Sequence, residues 1–384
     1  MQKNILVLGG DGFVGWPVSL GLANEGHNVT IIDNFMRRTI DLELNAESIV
    51  PISSMHDRLA AAKEVLGLTI NFEYLDIISE YEKFKSVLIK NNIDTVVHLA
   101  QIRSAPYSMI NSEKSRATVT GNVTATHNVL AAIAEVNKDI NLVHMGTMGV
   151  YGYNDVFGEI PEGYLDVTVN QTNSKTDILF PTNPGSIYHM TKSLDQILFA
   201  FYQKTWGIKI TDLHQGIVWG AATKLTGADK RLANRFDYDG EYGTVLNRFI
   251  VEAVSGVPLT VYGTGGQARA FINIEDTVKC VKIAVENVPT ENRVRIFNQV
   301  SEVQKVRDLA HLVSKHTGAE ISNIKNPRKE AAENELIVKN DGLRSLGFEP
   351  ILLSDNLVDD VIHLAEEYSN RVNKQAIKSM ASWS

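Results

Sequence analysis

Tyr188 and Lys192 are the residues whose types and spacing point most directly to chemistry. They lie four positions apart, so on a helix they occupy one face, one turn from each other. A cation that close lowers the pKa of a phenol by favouring the phenolate, which makes the tyrosine a usable base. Such pairs also occur by chance on solvated helix faces. The meaning of this pair therefore depends on the elements around it, including Thr147 some forty residues upstream.

A glycine-rich turn near the start of the chain is the first of these elements. Residues 4–8 have the short apolar pattern of a strand buried on both faces, and a helical pattern follows the turn. Glycines spaced G-x-x-G-x-x-G allow a tight turn and let the backbone approach a pyrophosphate at the helix N-terminus. The turn therefore predicts a dinucleotide site. Its predicted contacts are Gly9, Asp11, Gly12, Phe13, Val14 and Gly15.

Asp33 ends the second predicted strand, 18 residues after Gly15. An acid at this position accepts hydrogen bonds from the adenosine ribose hydroxyls, and a 2′-phosphate would meet its carboxylate, so the position favours NAD over NADP. Arg37 and Arg38 follow closely, and a basic side chain there can accommodate a phosphate instead. The other predicted cofactor contacts are Asn34, Arg37, Asp76, Ile77, Leu99, Ala100, Asn122, Tyr188 and Lys192.

Strand and helix patterns alternate up to about residue 220, which predicts an α/β fold with a doubly wound parallel Rossmann sheet. The patterns comprise strands over 71–75, 93–99, 140–145 and 208–219, helices over 59–66 and 122–136, a long insertion over 36–70, and a loop-rich stretch over 153–185. The loop 100–109 leaves the carboxyl end of a strand, the edge at which such sheets bind ligands. Arg103 in this loop either faces a ligand or is a surface arginine.

Past Gly220 the alternation breaks, which predicts a second, smaller lobe. We expect residues 1–220 and about 271–299 to form the NAD-binding domain, and residues 221–270 and 301–384 to form an interleaved substrate-binding lobe. Three arginines of this lobe lie beside Gly, Asn or Pro: Arg248, Arg269 and Arg328. Arginines in turn-like settings suit planar, bidentate capture of phosphates.

Composition excludes several classes of function. The net charge of −8 argues against general nucleic-acid binding, so an anionic ligand needs local arginines. The single cysteine, Cys280, excludes an internal disulfide and a cysteine-rich metal site, and we predict no metal. No apolar run reaches the ~18 residues that a membrane span needs. Because the first strand pattern begins near residue 3, we expect no targeting peptide and a cytoplasmic protein.

The glycine turn, Thr147 at a strand end and Tyr188-x-x-x-Lys192 together resemble the extended short-chain dehydrogenase/reductase family, which includes nucleotide-sugar epimerases, dehydratases and reductases. The resemblance covers essentially the whole chain. It implies that Tyr188 removes the proton of the sugar 4-hydroxyl while hydride passes from C4 to the nicotinamide. It also implies that Lys192 binds the nicotinamide ribose and lowers the pKa of the tyrosine, and that Thr147 hydrogen-bonds the same hydroxyl.

Several segments are similar to those of family members that build a sulfonated sugar nucleotide from UDP-glucose and sulfite. These segments are 103–109, 146–149, Tyr188-His189, 259–263 and 326–328. The resemblance implies oxidation at C4, loss of the C5 proton and the 6-hydroxyl, addition of sulfite at C6 and return of the hydride to C4. The implied substrate contacts are Gln101, Arg103, Thr147, Met148, Gln215, Asn247, Arg248, Tyr262, Gln267, Arg269 and Arg328, with Gln101 and Arg103 as candidates to attract sulfite.

The chain departs from the 4,6-dehydratases of this family, which carry two acids directly after the threonine. Here Met148 and Gly149 follow Thr147, so either the chain does not eliminate or other groups move those protons. His189 is our candidate, because histidine titrates near neutral pH, although on an ideal helix it points about 100° away from Tyr188. A core or surface histidine is the competing interpretation. Met148 is expected to form an apolar wall at C6.

Two other functions remain open at this point. A UDP-hexose 4-epimerase, or another NAD-dependent enzyme that modifies UDP-sugars, uses the same first step. A catalytically inactive NAD-binding sensor or scaffold needs only the cofactor site. Thr147, Tyr188 and Lys192 are all present, which argues against the inactive protein. Many family members have Asn where Ile217 stands, so Gln215 is expected to take over its contact with the diphosphate. Relatives pair the helices that carry Asn122 and Tyr188, so we expect a homodimer.

Overall fold

Strands alternate with helices through most of the chain, and the computed structural model describes residues 1–152, 158–328, 330–353 and 355–381. The strands in these ranges are β1 Asn4–Leu8, β2 Asn28–Asp33, β3 Ile70–Tyr74, β4 Thr95–His98, β5 Asn141–Thr147, β6 Glu159–Ile160, β7 Tyr164–Val169, β8 Ser174–Leu179, β9 Ile210–Gln215, β10 Ile217–Trp219, β11 Leu259–Tyr262, β12 Gly266–Asn273, β13 Arg295–Gln299, β14 Glu302–Lys305, β15 Ile321–Ile324, β16 Glu333–Asn334 and β17 Ile337–Val338. The α-helices are α1 Gly15–Asn24, α2 Met36–Leu44, α3 Met55–Leu66, α4 Tyr81–Lys90, α5 Ala105–Ser108, α6 Ser112–Val136, α7 Ile187–Trp206, α8 Val245–Val254, α9 Ile274–Glu286, α10 Val306–Thr317, α11 Asp341–Ser345 and α12 Asp355–Glu367. Short 3-10 helices cover Met148–Val150, Lys230–Leu232, Ser369–Arg371 and Lys374–Ile377.

Seven strands form one large sheet in the order β13–β9–β5–β4–β1–β2–β3, and each pairs with its neighbours in parallel. The residues of β1 alternate between two layers: Ile5 and Val7 belong to one core cluster, whereas Leu6 and Leu8 belong to the other. Helices α1, α3 and α9 supply the first cluster, and α4, α6 and α7 supply the second. Helices therefore cover both faces, which confirms the predicted doubly wound α/β fold. The strand order reverses between β1 and β4, where such sheets open a crevice for ligands.

A smaller sheet lies beside the large one. It has the order β10–β12–β14, with β16 added to β12, and β11 pairs separately with β15. A third core cluster joins this sheet to α8, α10 and α12, and Trp219, Phe249 and Phe271 are among its largest buried side chains. The chain leaves this region through α9, adds β13 to the large sheet and then returns to β14.

One predicted strand is in fact two. The pattern over 208–219 predicted a single strand, but β9 pairs in the large sheet and β10 in the small one, with Gly216 between them. A β-carbon at Gly216 would lie 2.9 Å from the carbonyl oxygen of Ala270. Only glycine allows the two backbones to approach this closely without a shift. The apolar pattern continues through the break because both halves are largely buried, so periodicity alone could not detect it.

Other boundaries also differ from the sequence-based expectation. The insertion 36–70 contains two helices, α2 and α3, and only the second was predicted. The stretch predicted to be loop-rich, of which 153–157 lie outside the described residues, contains β6 and a β7–β8 hairpin whose side chains are mostly exposed. Exposure on both faces removes the alternation that would have identified these strands.

Helices α6 and α7 begin at polar caps. The Asn111 side chain accepts a hydrogen bond from the backbone of Lys114, so α6 starts ten residues before the predicted position 122. The Ser186 side chain accepts from the backbone of His189 and starts α7 immediately before Tyr188. Every helix in the described ranges is too short or too polar to cross a lipid bilayer.

Candidate active site

The glycine turn stands at the end of β1, where the backbones of two strands nearly touch. Gly9 has φ +83°, and a β-carbon there would lie 2.9 Å from backbone atoms of Leu99 and Ala100. A β-carbon at Gly15 would overlap the carbonyl oxygen of Gly9. The turn therefore has no room for side chains at these positions. This lets a pyrophosphate approach the protein backbone at the start of α1.

A cavity extends from this turn along the carboxyl ends of the large sheet, and we call it the turn cavity. The predicted cofactor contacts that line it are Gly9, Gly12, Phe13, Val14, Gly15, Asp33, Asn34, Arg37, Asp76, Ile77, Leu99, Ala100, Asn122, Tyr188 and Lys192. Asp33 accepts hydrogen bonds from the backbone of Asp11 (2.9 Å) and Phe35 (2.7 Å), and burial raises its pKa to about 6. The lining fits an adenosine dinucleotide, with Asp33 placed for the ribose.

Asp11, the remaining predicted cofactor contact, points its side chain elsewhere. Its carboxylate is 2% exposed and pairs with Arg38 (2.7 Å) and Arg58 (3.0 Å). Only its backbone borders the turn, so its side chain braces the loop that follows β1 rather than the ligand. Arg37 pairs with Asp41 and stacks over the ring of Tyr242 at 3.8 Å. Arg37 and Arg38 are each paired with a carboxylate. A 2′-phosphate would therefore have to break an existing ion pair, which favours NAD over NADP.

Tyr188 and Lys192 lie on the buried face of α7, as their spacing predicted. The Lys192 ammonium is 6.0 Å from the centroid of the Tyr188 ring, and both side chains are at least nine-tenths buried. Burial lowers the pKa of Lys192 to about 8, against the opposing effect of Asp195 and Asp212. The Tyr188 backbone donates to the Ser108 hydroxyl at 3.1 Å, which fixes the first turn of α7 against α5.

A second cavity, which we call the arginine cavity, adjoins the turn cavity. The two share Phe13, Val14, Arg103, Tyr188, Gln215 and Tyr242. Thr147 and His189 line the arginine cavity beside Tyr188, whereas Lys192 lines the turn cavity. The Thr147 hydroxyl accepts from the backbone of Gly149 at 3.1 Å, which orients it at the end of β5. The tyrosine thus stands where the two cavities meet.

His189 is closer to this junction than an ideal helix implied. Its ring centroid lies 5.2 Å from that of Tyr188, and its Nδ1 is 3.1 Å from the Ser186 hydroxyl. A β-carbon at Gly149 would overlap the His189 ring at Cδ2 and Nε2. The imidazole therefore fills the space in which a side chain at position 149 would begin. Burial, followed by the charges of Arg328 and Arg269, lowers the pKa of His189 to about 3, so its imidazole is neutral.

Arg248, Arg269 and Arg328 meet at the far end of the arginine cavity. Arg269 pairs with Glu330, and the Arg248 guanidinium lies 5.2 Å from the Tyr262 ring centroid. Burial and the neighbouring arginines lower the pKa of Arg328, while Glu330 opposes them. Guanidinium groups gathered this closely repel one another, so a diphosphate bound among them would relieve that repulsion.

We expect Arg269→Ala to raise the dissociation constant for UDP about 10- to 100-fold, since a charged hydrogen bond contributes about 1.5–3 kcal/mol. Isothermal titration with UDP measures this directly. The matched control is Arg307→Ala, which removes a more exposed arginine of the same region that pairs with Glu333. Equal UDP affinity in the two variants would show that Arg269 does not contact the diphosphate.

The other predicted substrate contacts divide into two groups. Those lining the arginine cavity are Arg103, Thr147, Gln215, Arg248, Tyr262, Gln267, Arg269 and Arg328. Gln101 lines the turn cavity instead and hydrogen-bonds to Lys192. Met148 is buried in a cluster with Val150 and Phe180. Asn247 brackets the backbone of Gly220 with two hydrogen bonds, of 3.0 and 3.1 Å, so its amide holds the end of β10.

Two sets of buried residues at the site were missed from the sequence. Asp237 pairs with Arg103 (2.5 Å) and Arg37 (3.1 Å), and so ties the segment 233–243 to both cavities. His144 and Asp212 lie beneath Lys192. The available signal was an ionisable residue in the middle of an apolar strand, which occurs in both β5 and β9. Buried ionisable groups of this kind often mark functional sites.

The chain matches the model of the NAD dependent epimerase/dehydratase family over residues 5–298. It is 42% identical over 388 residues to the chloroplastic UDP-sulfoquinovose synthase of Spinacia oleracea, covering 100% of this chain and 79% of the relative. It is 40% identical over 352 residues to the UDP-sulfoquinovose synthase of Sulfolobus acidocaldarius, covering 90% and 88%.

Solved structures agree with the fold. A UDP-glucose 4-epimerase from Stenotrophomonas maltophila with bound NAD superposes with a TM-score of 0.73 at 18% identity, covering 97% of this chain and 100% of that one. A UDP-glucose 4-epimerase from Thermotoga maritima with UDP-glucose has a TM-score of 0.68 at 20% identity, covering 95% and 99%. At these identities the likeness concerns the fold alone.

Proposed function

The chain belongs to the NAD-dependent epimerase/dehydratase family, and from this we propose that it is a UDP-sulfoquinovose synthase, converting UDP-glucose and sulfite into UDP-sulfoquinovose. NAD is its cofactor. One observation carries the proposal: Tyr188 stands where a cavity shaped for a dinucleotide meets a cavity lined by arginines. A hexose attached to a diphosphate on those arginines would reach the tyrosine hydroxyl.

The first step uses groups already described. Tyr188 accepts the proton of the sugar 4-hydroxyl, Thr147 holds that hydroxyl, and Lys192 favours the phenolate by its charge. NAD, when bound, supplies the hydride acceptor for C4 and returns the hydride at the end. The residues that would hold it are those of the turn cavity, with the glycine turn at the pyrophosphate and Asp33 at the ribose.

His189 is the proposed group for the elimination. A ketone at C4 acidifies the C5 hydrogen. A neutral imidazole can take this proton and pass it to the departing 6-hydroxyl, which leaves as water. The sulfur of hydrogen sulfite then bonds to C6 of the resulting enone, and the imidazole transfers the proton of hydrogen sulfite to C5. The support is the position of His189 against Gly149, where the dehydratases carry an acid. Met148 lies in a buried cluster and lines neither cavity, so it is not placed to form the apolar wall at C6 that was expected from the sequence.

Arg103 is the group we propose for attracting sulfite. Its guanidinium lines both cavities, and Asp237 holds it at their rim. A cation at this position would offset the repulsion between sulfite and the diphosphate. Gln101, the other candidate from the sequence, donates to Asp195 and accepts from Lys192, so we propose that it orients Lys192 rather than sulfite.

Incubation with UDP-glucose, with and without sulfite, tests the proposed function. Mass spectrometry should find a sugar nucleotide in which a sulfonate replaces a hydroxyl, and only when sulfite is present. The Tyr188→Phe protein is the control for adventitious addition. If UDP-galactose is the sole product, the chain is a 4-epimerase, and if UDP-glucose returns unchanged with NAD bound, it is a binding protein.

We also propose a homodimer formed through α6 and α7. Leu194, Ile197 and Phe201 lie on one outward face of α7, with exposures of 36%, 60% and 54%. Apolar side chains at this spacing form a stripe that a second copy can cover. Phe201→Glu should therefore give a monomer in analytical ultracentrifugation, while Ile89→Glu, at an equally exposed position on α4, should not. A Phe201→Glu protein that remains dimeric would contradict this interface.

The predicted cytoplasmic location stays a proposal, since the spinach relative is described as chloroplastic. Cell fractionation with an antibody against this chain would test it, and recovery in an organelle or envelope fraction would contradict it.

A further inference from the structure

A connected set of buried polar side chains lies beneath Lys192, between β5 and β9. The Lys192 ammonium donates to the carbonyl oxygen of Met145 (2.6 Å) and to Gln101, and its Nζ is 3.2 Å from His144 Nε2. His144 Nδ1 is 2.7 Å from one oxygen of Asp212. The other oxygen of Asp212 is 3.0 Å from His214 Nε2.

Strand register brings these groups together. In the parallel pairing of β5 with β9, His144 lies opposite Asp212 and Gly146 lies opposite His214. A β-carbon at Gly146 would stand 2.5 Å from an Asp212 oxygen, so the glycine makes room for the carboxylate. His214 Nδ1 in turn lies 2.7 Å from the Tyr151 hydroxyl. His144, Asp212, His214 and Tyr151 are each at most 2% exposed.

The types of the groups determine which atom donates in the contacts of His144 with Lys192 and Asp212. His144 Nε2 lies 3.2 Å from Lys192 Nζ, 3.3 Å from Gln101 Oε1 and 3.5 Å from an Asp195 oxygen. An ammonium has donors and no acceptor, so its hydrogen bond to His144 forms only when Nε2 is the acceptor. In the tautomer that accepts from Lys192, the ring proton is on Nδ1, where it is donated to Asp212. Burial opposes ionisation of Asp212, but His214 and His144 hold its pKa well below the usual range, so it remains a carboxylate that can accept this proton's hydrogen bond.

We propose that His144 is a positioning residue for Lys192, held in its orientation by Asp212 and His214. The inference rests on the proposed function, in which Lys192 must keep its charge beside Tyr188. A lysine side chain can adopt several rotamers. His144, as the third partner of the ammonium, restricts Lys192 to one of them. In metalloproteins, a carboxylate that accepts a hydrogen bond from a metal-ligating histidine fixes the orientation of that histidine in the same way.

The charge of Lys192 depends on the groups around it. These are His98 on β4, Gln101 on the following loop, His144 on β5, Tyr188 and Asp195 on α7, and Asp212 on β9, with His214 behind Asp212. Burial lowers the pKa of Lys192, and Asp195 and Asp212 raise it. Removal of the Asp212 charge should therefore let Lys192 lose its proton at a lower pH.

The pH dependence of kcat tests this in the NAD-loaded protein. Asp212→Asn should move the alkaline limb of kcat down by about one pH unit or more, with KM for UDP-glucose changed less than about twofold. His144→Gln keeps an acceptor and a donor, and should stay within about threefold of the parent kcat. His144→Leu keeps neither, and its kcat should fall about 10- to 100-fold, the effect expected when a catalytic group such as the Lys192 ammonium is displaced by about 1 Å.

His316→Leu is the matched control, because His316 also pairs with a carboxylate, that of Asp359 at 2.7 Å, but lies on α10 and lines neither cavity. The inference is overturned if folded, NAD-loaded Asp212→Asn keeps its alkaline limb. It is equally overturned if His144→Leu matches His316→Leu in kcat. If Asp212→Asn does not fold, the two His144 variants decide.

Nitrogen NMR of labelled histidine gives a readout that needs no turnover. In the parent protein, the ring proton of His144 should be on Nδ1, and its Nε2 signal should shift in Lys192→Met. A proton on Nε2 would overturn the inference. Absence of product from the parent protein would instead reject the proposed function, so the two failures are distinguishable.

Discussion

Tyr188→Phe should bind NAD and UDP as the parent protein does and yet be nearly inactive. The substitution removes one hydroxyl from a buried ring at the junction of the two cavities, and leaves the packing of α7 intact. General base catalysis contributes about 10²–10⁴-fold, so we expect kcat to fall by at least ~10² with little change in UDP affinity.

Tyr202→Phe is the matched control for this experiment. Tyr202 is a buried tyrosine on the same helix, 6% exposed, and its hydroxyl contacts His127 at 3.2 Å rather than either cavity. Stopped-flow absorbance of the reduced cofactor after mixing with UDP-glucose reports the first step alone. Cofactor reduction at the parent rate in Tyr188→Phe would remove the tyrosine from the mechanism.

His189→Asn should separate the first step from the rest. Tyr188, Lys192 and Thr147 remain in place, so cofactor reduction by UDP-glucose should continue. Exchange of the C5 hydrogen with deuterium from the solvent and formation of the sulfonated product should both fall by about 10²–10³-fold, because they need the imidazole. Mass spectrometry of the recovered sugar nucleotide measures both quantities.

The charge around His189 adds a pH signature to this prediction. Burial is the largest cause that lowers the pKa of His189 to about 3, and the charges of Arg328 and Arg269 lower it further. A diphosphate on those arginines should raise that pKa in the complex relative to the free protein. An acid limb assigned to His189 should therefore lie at higher pH in kcat than in kcat/KM, since the former reports the complex and the latter the free protein.

His311→Asn, at an exposed position on α10, controls for the loss of a histidine. Unchanged C5 exchange in His189→Asn would assign the elimination to another group. Loss of cofactor reduction together with exchange would mean that His189 serves the first step or the fold, and not the elimination alone.

The parts of the site that were predictable from sequence are local. The glycine turn needs a strand before it and a helix after it, and all three lie within residues 4–24. Tyr188 and Lys192 share a helix face because of their spacing, and Ser186 caps that helix two residues earlier. Each of these depends on a handful of consecutive residues, so the chain specifies them without reference to the rest of the fold.

The parts that escaped prediction depend on partners far away in the chain. His144 meets Asp212 only because β5 and β9 pair in one register, and the sequence does not state that register. Asp237 meets Arg37 across two hundred residues. His189 reaches the junction because Gly149 has no side chain, which joins two segments forty residues apart. Such contacts are results of the fold, and pattern reading cannot supply them.

The glycine between β9 and β10 has a mechanical consequence. A single residue joins a strand of the large sheet to a strand of the small one, so the sheets cannot swing relative to each other without torsion at Gly216. The residue before this pivot, Gln215, lines both cavities. A shift of the smaller sheet on binding a nucleotide would thus be transmitted to the side of the reacting sugar along this backbone, in addition to the two-residue link from β13 to β14.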